Sequence, residues 1–258
     1  MLTRILLFAL IAAIVGCSLQ ALHSYREKSR FLDAIDGSVA LVVENHAKGA
    51  TRNLVDQIFN ERLRWSDVVR QTTGLPRSYC EILAEDLETL ERVQWVITSP
   101  GRFDVFLVDE DSPLEEYRKE QLEAAKPDRK VVWPAGKPKT LAHAIVVKTD
   151  RASSVQDLRF DSATASADLF GEPALRATLS PSDTRLVKEL TSQSLEKQVV
   201  ITIDGVAVVV ATIKSELGAE ILITGTDALP VPLEDVVAIA CSGPYPRGAE
   251  LQAEIVHR

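Results

Sequence analysis

The side chains in this chain with the means to do chemistry are three thiols, four imidazoles and several neighbouring carboxylates. Cys17 has the most telling setting. It follows Gly16 at the end of the apolar run Ile5–Val15, and Arg4 stands in front of that run. A basic start, a short apolar stretch and small residues before a break are, in that order, the parts of a secretory signal peptide. At about 1.5 Å of rise per residue the run is too short to cross a hydrocarbon core of about 30 Å comfortably. The other reading of the same residues is an uncleaved anchor reaching Leu22, with Cys17 an ordinary buried thiol. Either way, residues from about Ser24 onward lie outside the cytoplasm and are tethered to a membrane.

The remaining candidates form no catalytic set. His23 falls in the expected tether and His257 is next to the last residue. Neither they nor His46 and His143 stand at metal-ligand spacing to another His or Cys. No Gly-x-Ser-x-Gly elbow occurs. Asp109-Glu110-Asp111 and Glu115-Glu116 lack the Gly and the fixed spacing of a calcium loop, and they read as a solvated acidic loop. Cys80 and Cys241 lie in apolar patterns and are expected as two separate buried thiols rather than a disulfide. Trp65, Trp95 and Trp133 are scattered and read as packing residues. No metal, cofactor or catalytic residue is expected.

Gly16-Cys17 behind the apolar run resembles the lipobox of bacterial lipoproteins. The resemblance implies removal of residues 1–16 as a signal peptide. It also implies lipidation of Cys17, whose thiol supplies the nucleophile, and residues 17–36 then read as a tether. The implied place is the bacterial envelope, facing the periplasm. Ser18 is not the Asp that holds such proteins at the inner membrane of enteric bacteria, which favours the outer membrane. With 29 Lys and Arg against 37 Asp and Glu, the net charge of −8 argues against nucleic acid and against electrostatic docking on anionic lipid.

The elements that would position these residues read as α+β, with small mixed or antiparallel sheets packed against helices. Ser38–Glu44 is β-rich. Ala50–Arg70 has a helical stripe through Leu54, Val55, Ile58, Phe59 and Leu63, and a second, acidic helix runs to about Leu90. Val93–Thr98 and Phe103–Val108 read as strands around Ser99-Pro100-Gly101. A charged excursion follows to Lys130, then strands at Lys130–Trp133 and Ala142–Lys148. Leu175–Leu179 alternates as a strand. Ser180-Pro181 opens a helix to Glu196, with Leu186, Val187, Leu190 and Leu195 inward. Asp204-Gly205, between Val199–Ile203 and Val206–Ile213, signals a type I′ hairpin. Ile221–Thr224, a helix at Pro232–Cys241 and a final strand at Glu250–Val256 complete the pass.

Several of these pieces, in order, resemble the first periplasmic domain of SecD, the accessory subunit of the bacterial protein-export machinery. They are Arg102–Asp109, Ser154–Asp161, Ala174–Leu179, Arg185–Thr191, Leu195–Gly205, Ile223-Thr224-Gly225 and Pro232–Cys241 with the exit Ser242-Gly243-Pro244. The resemblance covers roughly 100–258 and extends more weakly to 37–98. It implies a base-like region at 37–150, a head-like domain at 151–258 with a returning C-terminal strand, and a habit of contacting polypeptide. No counterpart of the family's transmembrane helices is expected in these residues, and Val209-Val210-Ala211 replaces its Ser-Ala-Pro. A proton-driven role is therefore not carried over.

The expected function is a non-catalytic, membrane-anchored interaction module with a protein partner, linked to export or envelope assembly, which binds through an exposed strand edge or a cleft. The alternatives are a small-molecule-binding lipoprotein and, less favoured, an envelope hydrolase. Replacing Cys17 by Ser should leave unprocessed precursor and abolish incorporation of labelled fatty acid; unchanged labelling would overturn the lipoprotein reading.

Overall fold

The structure, a computed structural model, describes residues 39–45, 50–64, 69–72, 77–82, 87–110, 128–226, 229, 231–249 and 251–257. Cys17, the leader 1–16, the tether 17–36 and most of the acidic excursion lie outside them. Four α-helices and three sheets make this an α+β fold among the described residues. The strands are β1 (Val39–Asn45), β2 (Val69–Thr72), β3 (Arg77–Ile82), β4 (Phe103–Leu107), β5 (Arg129–Pro134), β6 (Ile145–Lys148), β7 (Ser154–Val155), β8 (Phe160–Ala167), β9 (Pro173–Leu179), β10 (Gln198–Ile203), β11 (Val206–Thr212), β12 (Glu220–Ile223) and β13 (Leu251–His257). The helices are α1 (Ala50–Arg64), α2 (Leu87–Thr98), α3 (Pro181–Ser192) and α4 (Leu233–Ser242).

The chain divides into two compact units. One holds the antiparallel sheet β13-β1-β3-β2. In it β13, the last described strand, pairs antiparallel with β1, the first. The other unit takes in α1, Glu91–Thr98 of α2, and the remaining elements up to α4. The expected boundary at 150/151 is no break: β4 pairs with β10 and with β7, so residues on either side of it share one sheet.

That sheet runs β6-β5-β11-β10-β4-β7. Beyond β4, Val108 bridges Val147 of β6, and the Asp109 N–H donates to the Val146 carbonyl at 2.8 Å. Five strands thus curl into a small barrel. Its interior takes one buried side chain from each: Phe106, Val132, Val147, Val200 and Ala207. One polar pair joins them, with the Lys130 ammonium 3.7 Å above the Phe106 ring and 3.7 Å from Asp104. Burial pushes the Asp104 carboxyl up and the Lys130 ammonium down, so desolvation outweighs their mutual attraction. Because successive side chains alternate faces, Phe103, Val105 and Leu107 with Val199, Ile201 and Ile203 look the other way. There they pack with Leu175, Leu179, Val187, Leu190 and Ile239 in the main core.

Helix α3 starts as expected: Ser180 caps it, Pro181 opens it and Asp183 sits in the first turn. Asp183 also accepts the Arg159 backbone N–H at 2.8 Å, a tie no charge argument foresees. Val187 and Leu190 are buried, but Leu186 and Leu195, expected inward, are exposed, as is Leu54 of α1. The hairpin turn is confirmed by positive φ at Asp204 (50°) and Gly205 (81°).

Three expectations are corrected. The first helix stops at Arg64 and Val69–Thr72 is a strand. The expected acidic helix is strand β3 followed by α2. Val93–Thr98 is the last part of helix α2: the run is too short to tell helix from strand by its period, and Val93, Val96 and Ile97 are buried in the helix.

Arg62 of α1 is fully buried. Its guanidinium donates to the Val96 carbonyl (3.1 Å), the Ser99 carbonyl, the Gly243 carbonyl (3.1 Å) and the Ser242 hydroxyl (3.0 Å). It also lies 4.2 Å from the centre of the Tyr245 ring. These carbonyls belong to the C-terminal ends of α2 and α4, where oxygens lack intrahelical donors and a cation is favoured. Gly101 (φ 73°) permits the approach, since a Cβ there would overlap the guanidinium. Burial lowers the Arg62 pKa, against which Tyr245 and Asp204 raise it.

Leu190→Ala should cost about 2–5 kcal/mol and Leu186→Ala within about 1 kcal/mol, measured by urea unfolding; equal losses would mean the inner face is misassigned. Burial pushes Tyr245 from 10.0 up to about 12, so the folded state holds this proton more tightly than the unfolded state. Stability should therefore be complete below pH 10 and fall by about 2–3 kcal/mol as pH rises toward 12. Tyr245→Phe should remove that fall at a cost of about 1 kcal/mol, for the lost bond to the Ile97 carbonyl.

Candidate peptide-binding edge

The three-stranded sheet β12-β9-β8 leaves β8 at an edge. β8 reads Phe160-Asp161-Ser162-Ala163-Thr164-Ala165-Ser166-Ala167. From Ser162 onward it has no charge, no Pro and no large side chain, so it lacks the devices that usually blunt an edge. The other edges in this unit are managed: β12 has four residues, β7 has two, and β6 is turned back on β4.

The pairing fixes which backbone groups face outward. Asp168 and Glu172 close the β8–β9 hairpin, with the Asp168 N–H donating to the Glu172 carbonyl at 2.9 Å. Hydrogen-bonded and non-bonded pairs alternate along an antiparallel ladder. Ala167↔Pro173, Ala165↔Leu175 and Ala163↔Ala177 are therefore the non-bonded pairs, and the N–H and C=O of residues 163, 165 and 167 point away from β9. Two observations agree. Pro173 has no N–H to give, and the outward carbonyl of Ala163 is met at 3.6 Å by the Cys241 thiol of α4. Cys241 covers the edge only there. Ala165–Ala167 border an open cleft of about 640 Å³, which also takes in Gly171 and Pro173 of the hairpin and Thr226, and which Val231–Glu234 at the start of α4 close on the other side.

At the end of the hairpin, Leu169 and Phe170 are 98% and 89% exposed. Their positions are held by local bonds: Asp168 Oδ1 accepts the N–H groups of Phe170 (2.8 Å) and Glu172 (2.9 Å), and Gly171 takes φ 86°. The sequence reading had missed both β8 and this tip. Ala, Ser and Thr give no apolar alternation to detect; Asp168 and Gly171, turn residues at a fixed offset, were the available signal.

The residues singled out from sequence are elsewhere. Cys80 is in β3, opposite Leu41 in the register; Cys241 alone is at the edge, a free thiol that is half-buried and not buried as expected. His143 ends a 3-10 turn, with Nδ1 3.0 Å from the Thr140 hydroxyl, and His257 is in β13. Asp109 is not on a solvated loop. It is buried, accepts from Arg129 and stands 3.6 Å from Lys148, and this contact raises the Arg129 pKa. Ser194 and Lys197 have the Ser-x-x-Lys spacing of some acyl-transfer sites. Here Ser194 is buried, Lys197 is exposed, and the turn between them places Glu196 at φ 66°. Among the described residues no group of three or more His, Cys, Asp or Glu is placed to hold a metal ion, and no helix is long and apolar enough to cross a membrane.

No protein-family model matches the chain, and no curated protein matches it. Solved structures do. SecDF in its super-membrane-facing form aligns with TM-score 0.57 and 18% identity, over 85% of this chain and 30% of that one. A structure of SecDF, described as a membrane component that enhances protein export, aligns with TM-score 0.54 and 16% identity, over 82% of this chain and 97% of that one. The likeness is one of fold.

The ladder assignment predicts a contrast between neighbouring prolines. Ala165→Pro removes an outward N–H and should change stability by no more than about 1 kcal/mol, whereas Ser166→Pro removes a ladder bond to β9 and should cost about 3 kcal/mol. Urea unfolding of both variants checks it; the reverse order would shift the outward set by one residue.

Proposed function

We propose that this protein is a non-catalytic interaction module that takes an extended polypeptide segment as an added strand on β8. The observation that carries the reading is the outward backbone of Ala165 and Ala167 beside an open cleft, on an uncharged edge. Main-chain bonds supply affinity in this mode, and the cleft wall supplies selectivity. A SecDF-like fold, shared with a component described as enhancing protein export, supports a role in export or envelope assembly. Cys17 would tether the module to the bacterial envelope, facing the periplasm. No nucleophile–base pair, metal or cofactor takes part.

A fluorescein-labelled extended peptide rich in Val and Thr should bind the full-length protein in nanodiscs of neutral phosphatidylcholine. Ala165→Pro should weaken it about tenfold or more, and so should N-methylation of alternate peptide bonds, which deletes the strand's donors. Binding indifferent to both changes would overturn strand addition. Turnover of peptidoglycan, ester or peptide substrates by the purified protein would favour the hydrolase.

A further inference from the structure

Leu169 and Phe170 do nothing for the fold. Both stand almost wholly in solvent, while the turn that carries them is fastened by Asp168 and Gly171. Any pair of polar residues would serve that turn equally. Two large apolar side chains held rigidly outward, with polar residues around them, mark a contact site. Because the turn is already ordered, little conformational freedom is lost when the tip is covered.

The surroundings say what covers it. Around the tip, from Ser162 to Leu175, the chain carries Asp168 and Glu172 and no Lys or Arg; the first cation along the hairpin, Arg176, stands opposite Thr164 in the ladder. Glu234 lines the cleft beside the hairpin. An apolar tip in an acidic setting is repelled by anionic lipid and complements an apolar segment flanked by cations. The tip continues directly from the free edge, so a strand added at Ala165–Ala167 would run past it.

We propose that the β8–β9 tip selects the bound segment, with Leu169 and Phe170 covering its apolar side chains and Glu172, together with Glu234, facing Lys or Arg at its flank. This rests on strand addition at β8 and names the chemistry of the segment. The probes are three fluorescein-labelled Val/Thr-rich peptides identical except for Lys, Ser or Glu flanks, titrated against the full-length protein in neutral phosphatidylcholine nanodiscs. The Lys-flanked peptide should bind about tenfold more tightly than the Glu-flanked one, with the preference shrinking in high salt. Leu169→Ser/Phe170→Ser should weaken all three about tenfold, and Glu172→Lys should erase or reverse the flank preference; all three positions are exposed, and unchanged thermal melts would confirm folding. Flank-independent binding, unchanged binding to the double variant, or no binding of any peptide would overturn the proposal. So would Phe170→Trp emission shifted to the blue by the lipid alone, which would make the bilayer the occupant. The two readings separate: an Ala165→Pro variant that keeps tip-dependent binding sinks strand addition only, and an unaffected double serine variant sinks the tip only.

Discussion

The larger unit is organised around one buried cation. Arg62 reaches from α1 into the C-terminal ends of α2 and α4, which leave carbonyl oxygens that no backbone donor can serve. A guanidinium suits the place because it offers five donors in a fixed plane and stacks on an aromatic ring, here Tyr245. Removing such a group would strand several buried acceptors at once, which is costlier than the net worth of any single bond.

The network continues into the sheet. Ser99 accepts from Arg62 through its carbonyl and donates through its hydroxyl to Asp204, which also accepts the Arg102 N–H at 2.7 Å. The turn residue of the β10–β11 hairpin is thereby fastened to the start of β4, its neighbour in the sheet. Asp204 thus has two jobs, tolerating positive φ and accepting these bonds, and only the first is a property of the turn. With β4, β10 and β11 fixed, the barrel closes on Phe106 inside and builds the main core outside. Residues 163, 175 and 177 face that core, which anchors the root of the β8–β9 hairpin and lets its outer half stand clear.

Edge strands are generally guarded, and among the described residues β8 is the edge of this unit left unguarded beside a cleft. The SecDF-like fold is the setting for it, but a fold hosts many functions. What distinguishes this chain is the outward backbone of Ala165 and Ala167 and the two apolar side chains held beyond it.

Features whose cause is local were legible in the order of the amino acids. The cap at Ser180, the Asp204-Gly205 turn, strands β1, β4 and β10, and the α+β class all follow from propensity, positive φ or periodicity within a few residues. The SecD resemblance was also legible, from the order of these short pieces. Tertiary structure decided the rest. Whether the short apolar run at Val93–Ile97 is strand or helix depends on what it packs against, since both bury it equally well. Arg62 looks like any surface arginine on a helix, because its partners lie 34 to 181 residues away. Asp109 reads as solvated until β5 and β6 bring Arg129 and Lys148 to it. Strand β8 has almost no signal of its own: Ala, Ser and Thr become a strand there because β9 offers a ladder on one side, and the side left without a partner is what makes it a candidate site.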